Sequence, residues 1–281
     1  IVGIFAAKKF NDKFFIWVQD LWPESVKVAG NINNRFILEI INKLTKKIYK
    51  YYDLIFVQSE AFVNYIVNQN INKKKIKYLP NFADDFYLIK KKPNINYDKF
   101  SITFAGNIGK AQNLEILIEV AKILKKKSEK IIFIIIGSGR NSKFLVQKIN
   151  QNNVTEYFDF LGRKSPETMP NYFSSSDVML ISLKKSNIFS LTIPSKLQSY
   201  MAYGVPILGS IDGISNQIIN ESNSGFASAA EDVDGLVENI LKMKNLSNFQ
   251  LNKMAINSKK YYVNHFSKEI VINSVIEFMN E

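Results

Sequence analysis

The chain has 281 residues and no cysteine. That excludes a disulfide framework, a thiolate zinc site and a cysteine nucleophile. Its one histidine, His265, excludes a histidine-rich metal centre and reads as a packing or surface residue. Arginine occurs only at Arg35, Arg140 and Arg163, so nearly all the positive charge is lysine. The longest apolar run, Ile131 to Ile136, falls far short of the ~20 residues a membrane-spanning helix needs. Residues 1–7 carry no basic flank and no cleavage signature, so no signal peptide is expected there. The chain is expected to begin inside a domain.

What is present is a globular composition. Hydrophobic residues make up 46% and charged residues 22%, well away from the signature of disorder. The length suits two domains, or one large one. The net charge of +12 suits an anionic partner such as a phosphorylated small molecule, a nucleic acid or a membrane surface. Abundant Asn, Ile and Lys offer coding bias as the plainer account of that charge. The basic residues are scattered and form no nucleic-acid module, so no nucleic-acid partner is expected.

Hydrophobic patterning predicts alternating strands and helices. Residues 14–18 form a short apolar run, ended by Asp20 and the sequence Trp22, Pro23, Glu24. A helix is expected over 33–52, a strand at 54–57, a helix over 60–69 capped by Ser59, and a strand at 76–79. Residues 82–98 read as a linker. A second βα series follows, with strands at 100–105, 131–136, 157–161, 178–182 and 206–210. Its helices are expected at 113–127, 142–151, 166–175, 195–203, 214–221, 232–244, 248–262 and 267–280. A loop spans 184–194. This rhythm argues for an α/β fold with parallel sheets. No solenoid-type repeat is evident.

Three glycine turns follow strands of the second series. Gly106 to Gly109 lies between a strand and a helix, where bare backbone and a helix start suit a phosphate. Ordinary turn punctuation is the alternative. The turns 137–140 and 162–164 lie at the same sheet edge and hold Arg140, Arg163 and Lys164. Lys196 stands in the first turn of the helix that Ser195 opens, against the dipole preference for acidic residues there. A bound anion would explain it; an exposed, tolerated lysine is the alternative. The basic helix over 39–50 offers a contact for anionic lipid, with a solvated face as the alternative.

These residues together resemble the family 4 glycosyltransferases, which have the GT-B fold of two facing Rossmann-like domains. Within them the chain is most similar to the branch that transfers N-acetyl-fucosamine-type sugars in O-antigen and capsule assembly. The resemblance rests on WVQDLWPES at 17–25, LPNF at 79–82, FAGNIG at 104–109 with QNL at 112–114, IGSG at 136–139, FLG at 160–162 and PSKLQSYMAYGVP at 194–206. It covers nearly the whole chain.

The resemblance implies an enzyme that moves an N-acetylated deoxy-hexosamine from a UDP-sugar, with retention of configuration and no cofactor or metal. The acceptor would be a lipid-linked saccharide, and the location cytoplasmic, with peripheral contact at the anionic inner face of the membrane. Residues 1–85 would be an acceptor-side Rossmann-like domain, incomplete because two full domains need roughly 300–400 residues. Residues 86–264 would be the donor-side domain, and residues 265–281 would pack back on the first. Donor contacts would come from Gly106, Asn107, Gly109, Lys110, Gly137, Arg140, Arg163, Lys164, Pro194, Ser195, Lys196 and Ser199. Gln19 or Asp20 would position the acceptor hydroxyl or the sugar.

The chain departs from the family pattern in three places. The two positions of the Glu-x7-Glu pair are Leu191 and Ser199. The usual Arg and Lys of the glycine loop fall at Asn107 and Gln112, which leaves Lys196 or Lys110 to supply the charge. The usual active-site histidine falls at Gln19. A UDP-N-acetylglucosamine 2-epimerase, which shares the fold, and a non-catalytic nucleotide-sugar-binding subunit are the alternatives.

Overall fold

The computed structural model describes residues 13–30, 32–93 and 95–280, which divide into two compact units. Residues 1–7, discussed above for a signal peptide, lie outside the described residues. The first unit runs to Asn81 and includes Ser186–Ile193 and the stretch from Glu269. The second comprises Phe82–Lys185 and Pro194–Lys268.

The first unit opens with β1 (Phe15–Val18), α1 (Glu24–Gly30), α2 (Arg35–Tyr51), β2 (Leu54–Val57), α3 (Ala61–Val67) and β3 (Ile76–Tyr78). Its sheet is parallel, in the order β1-β2-β3, with Ile16 opposite Ile55 and Ile55 opposite Ile76. The central β2 buries Ile55, Phe56 and Val57 in succession, as a strand covered on both faces must. The α2 helix starts where the Asn34 side chain accepts from the Phe36 and Ile37 N–H groups at 3.0 and 3.2 Å. Ser59 accepts from the Ala61 N–H at 3.3 Å, as a residue opening α3 should. The α1 helix is not anticipated by the sequence reading; seven residues are too few to display a helical period.

The second unit continues with β4 (Phe100–Ala105), α4 (Ile116–Lys126), β5 (Ile131–Ile136), α5 (Ser142–Gln151), β6 (Phe158–Gly162), α6 (Met169–Phe173) and β7 (Val178–Ser182). The expected loop at 184–194 contains a single helical turn, α7 (Asn187–Ser190), and most of it belongs to the first unit. There Ile188 joins the core of Val18, Ile55 and Phe62, with Leu191 packed against it. The expected limits of the second domain did not set this segment apart. The chain then forms α8 (Ser195–Tyr203), β8 (Ile207–Ser210), α9 (Gly213–Glu221), β9 (Gly225–Ser228), α10 (Val233–Lys244) and α11 (Asn248–His265). The last helix, α12 (Lys268–Asn280), belongs to the first unit from Glu269 on, and its Phe278 stacks on Phe56 at 6.0 Å.

The six-stranded sheet is parallel throughout, in the order β6-β5-β4-β7-β8-β9. Numbered within the unit, that is 3-2-1-4-5-6, the doubly wound order. Phe104, Phe133, Leu117 and Leu124 are fully buried between the sheet and α4, and Leu236 and Ile240 of α10 join them. The strand β9 was missed because Gly-Phe-Ala-Ser holds one large apolar residue and no alternation. The expected linker over 82–98 is corrected too. Residues Asp85–Leu88 form a 3-10 turn, and the buried Ala83 places both its N–H and its C=O on the Tyr262 hydroxyl, at 3.2 and 3.4 Å. This stretch is part of the second unit rather than a free span. Among the described residues no helix is long and apolar enough to cross a membrane.

Candidate functional site

The switch point of the second sheet lies between β4 and β7. Their ladder holds only the pairs Ile102–Val178 and Thr103–Met179, so the strands part before β4 ends. Beyond that point the N–H and C=O of Ala105 have no strand to bond. The buried Tyr200 hydroxyl serves both, accepting from the N–H at 3.1 Å and donating to the carbonyl at 3.3 Å. Burial pushes the Tyr200 phenol well above its ordinary range, so it remains a donor.

The three glycine turns lie side by side at the carboxyl ends of β4, β5 and β6, tied through their backbones. The Gly106 N–H donates to Ile136 O at 2.8 Å, Ile108 N–H to Ser138 O at 2.9 Å, and Gly137 N–H to Gly162 O at 2.9 Å. Two of the glycines are required by close approach. Gly137 has φ +144°, and a methyl group there would lie 1.8 Å from Gly106 O. Gly106 has φ +145°, and a methyl group there would lie 2.5 Å from Lys196 Cε and 2.9 Å from its Nζ. The bare backbone at 137 thus lets two loops pack, and that at 106 makes room for the lysine.

A cavity of about 570 Å³ opens over these turns, within the range of small-molecule sites. Its floor includes Gly106, Asn107, Gly137 and Ser138, and Arg163 and Lys164 border it as exposed cations. Ser195, Lys196, Ser199 and Tyr200 of α8 form one side. Their spacing of three and four residues puts Lys196, Ser199 and Tyr200 on one helix face. The wall adjoining α8 is aromatic. Tyr87 stacks on Phe173 at 5.5 Å, and the Phe173 ring meets Tyr200 edge-on at 5.3 Å. Ser199 Oγ donates back to Ser195 O at 3.1 Å. No carboxylate lines the cavity among the described residues.

Lys196 is the electrostatic centre of this arrangement. Its amine sits beside Gly106 and 5.1 Å from the centre of the buried Phe104 ring. Burial lowers its pKa from 10.5 to about 8, and among the described residues no carboxylate lines the cavity to offset the lost hydration. It is also in the first turn of a nine-residue helix that has no acidic residue there to balance the N–H groups. The cation and the first turn of α8 thus face the same cavity that Arg163 and Lys164 border.

Of the residues expected to hold a donor, Gly106, Asn107, Gly137, Arg163, Lys164, Ser195, Lys196 and Ser199 therefore border one cavity. Gly109, Lys110, Arg140 and Pro194 do not line it. Gly109 donates its N–H to Gln112 Oε1 at 3.1 Å, Lys110 and Arg140 are exposed, and Pro194 is the cap of α8. Gln19 and Asp20 are exposed in the first unit, where Gln19 Oε1 accepts from Asn81 at 2.8 Å. Leu191 is in the first unit as well, packed on its core. The sequence pattern does not single out Tyr87, Met169, Phe173 or Tyr200, which also line the cavity. Tyr87 was hidden in the supposed linker, although its neighbours Phe86 and Leu88 make an apolar cluster atypical of one.

Comparison with known proteins agrees with this architecture. The chain superposes on Anabaena HepE, solved in complex with UDP and glucose, with a TM-score of 0.79 at 15% identity, covering 100% of this chain and 74% of that one. The α/β fold, with parallel sheets in two units, is that of GT-B glycosyltransferase structures. In sequence the chain is 25% identical to WcaI of Escherichia coli (strain K12) over 162 residues, 54% of this chain and 39% of that protein. It is 22% identical to AmsK of Erwinia amylovora, an amylovoran biosynthesis glycosyltransferase, over 216 residues, 76% of this chain and 53% of that protein. The chain thus spans only about two fifths to half the length of these two relatives. Residues 85–261, well over half of the chain and including every residue of the cavity, match the family described as glycosyl transferases group 1, and the protein belongs to that family.

Proposed function

We propose that the chain binds the diphosphate of a UDP-linked sugar in the cavity at the β4–β7 switch point, and that it serves a glycosyltransferase of surface-polysaccharide synthesis. The observation that carries this reading is Lys196, a half-buried cation at a cavity that no carboxylate lines among the described residues. When the bond between the sugar and a nucleoside diphosphate breaks, its electron pair stays on the β-phosphate oxygen and adds one negative charge to the two the diphosphate already carries. The Lys196 amine and the first N–H groups of α8 would stabilise that added charge as it develops. Arg163 and Lys164 would raise the local concentration of the anion. Asn107 and Ser138, on the same floor, would donate hydrogen bonds, and Tyr87 would give the nucleotide an aromatic surface. Ser199 would serve the ribose less strongly than a carboxylate.

In this reading the sugar is an N-acetylated deoxy-hexosamine, transferred with retention to a lipid-linked saccharide at the inner face of the cytoplasmic membrane. Gln19 or Asp20 would position the acceptor. The biosynthetic relatives and the UDP carried by HepE support the substrate class. Calorimetry with UDP tests the site, and hydrolysis or transfer of a UDP-sugar tests the chemistry. Binding with turnover is expected. Failure of UDP to bind would end the reading, and binding without turnover would favour a non-catalytic subunit.

A further inference from the structure

We propose that Lys90 is a positioning residue of the cavity. It ties the segment that carries Tyr87 to the carboxyl end of α8, the helix whose amino end carries Lys196. This deepens the proposed function and rests on it for the nucleotide that Tyr87 would face. Residues 82–92 hold no regular element beyond the 3-10 turn Asp85–Leu88, so their own backbone does not fix where the Tyr87 ring lies. Attachments to the rest of the second unit do so. On one side of Tyr87, Ala83 is held by the Tyr262 hydroxyl. On the other, the Lys90 amine donates to Gly204 O at 2.8 Å and lies 4.2 Å from the centre of the Tyr203 ring. The Tyr203 hydroxyl accepts from the Lys91 N–H at 3.3 Å and donates to its carbonyl at 3.5 Å. Between these points Tyr87 stacks on Phe173, whose ring also meets Tyr203 edge-on at 5.7 Å. Tyr87 and Lys90 thus bear on one aromatic cluster.

The Lys90 amine has a specific place rather than a solvated one. It shares the end of α8 with Lys259, whose amine bonds Ala202 O. Burial, and then the charge of Lys259, lower the Lys90 pKa below the ordinary lysine range. Two like charges converge there because the last carbonyls of a helix lack partners within it and form its negative end. One nine-residue helix is therefore the frame for both halves of the site. Its first half carries Lys196 and Ser199, and its last residue, Tyr203, holds the segment that carries Tyr87. A rigid frame of this kind fixes the spacing between cation and ring. In a bound nucleotide that is the spacing between the diphosphate and the base.

Calorimetry of the full chain with UDP and with inorganic pyrophosphate separates the base from the phosphates. Lys90→Met keeps the stem and removes the charge. It is expected to weaken UDP about fivefold, because base stacking depends on where the ring lies, and to leave pyrophosphate affinity unchanged. Lys90→Arg can still donate to Gly204 O and lie over Tyr203, and should restore UDP affinity to within about twofold of wild type. In a Tyr87→Ala background, Lys90→Met should change nothing further. Tyr203→Phe removes only the hydroxyl bonded to Lys91. It should weaken UDP about twofold and spare pyrophosphate, and it is the variant read if circular dichroism shows that Lys90→Met has lost its fold. Equal losses for the two ligands, unchanged UDP affinity, or a full further loss on top of Tyr87→Ala would overturn the proposal. A wild-type chain that does not bind UDP would instead end the proposed function, whereas UDP binding indifferent to Lys90 removes the positioning role alone.

Discussion

Replacing Lys196 by methionine should strengthen the free protein and weaken its hold on UDP. Methionine keeps the length of the stem and removes the charge. The fall in pKa from 10.5 to about 8 measures what the folded protein loses by holding the charged amine out of water. At 1.36 kcal/mol per pH unit that is about 3 kcal/mol, an upper bound once the partly accessible stem and local relaxation are allowed for. Below pH 8 the amine is charged in both folded and unfolded chains, so the whole penalty is present and Lys196→Met should gain about 1–3 kcal/mol. Between pH 8 and 10.5 the folded protein releases the proton first, the unfolded chain binds more protons, and wild-type stability from this group rises with pH. Above 10.5 the two proteins should converge.

Affinity moves the other way. A hydrogen bond from a charged donor to a phosphate contributes about 1.5–3 kcal/mol, so Lys196→Met should weaken UDP at least about tenfold at pH 7. Wild-type affinity should fall as pH rises through 8, where the free amine discharges, and the variant should show no such fall. Urea unfolding across pH 7–11 and calorimetry with UDP across pH 7–9 provide the two readouts. A destabilised variant would make Lys196 a packing residue. An unchanged UDP dissociation constant would remove it from the site, and either result refutes the reasoning.

Gly137→Ala places a methyl group 1.8 Å from Gly106 O at φ +144°, so the two loops must separate; a loss of at least about 2 kcal/mol in urea unfolding is expected, together with weaker UDP binding. Tyr200→Phe leaves the buried N–H and C=O of Ala105 without a partner and should cost about 1–3 kcal/mol, read by the same assay.

The repeating βα pattern was legible because strands covered on both faces write themselves as apolar runs, as in 131–136, and amphipathic helices as periodic ones, as in 116–126. The sheet edge that holds the site was legible for a related reason: glycine, Arg163 and Lys196 stood where strands end and helices begin. What escaped depended on long-range contacts. Tyr87 belongs to the cavity because Phe173, 86 residues later, offers it a ring to stack on. Gly137 looked like a phosphate turn, yet its φ and close approach serve the neighbouring loop. The stretch 186–193 reads in sequence as a loop between elements of one domain; Ile188 and Leu191 reveal its allegiance only once the core of the first unit exists around them.

Lys196 illustrates why such violations of local rules point to function. It combines a cation at a helix start, a lysine amine out of water and a glycine emptied to admit it. Each feature alone is unfavourable, and their physical origins are independent: dipole, hydration and backbone entropy. A chain that only had to fill the space beside Phe104 would do better with methionine, and a chain that only needed surface charge would keep the amine in water. An anion in the cavity reverses two of the three terms together, by balancing the dipole and by replacing the lost hydration with a charge. The third, the bare backbone at Gly106, is what lets the amine reach that position. That reversal is the physical content of the proposed site, and it predicts that UDP should raise the pKa of Lys196, so that binding near pH 8–9 takes up a proton. Calorimetry in two buffers of different ionisation enthalpy would reveal the uptake, and heats independent of buffer would contradict it.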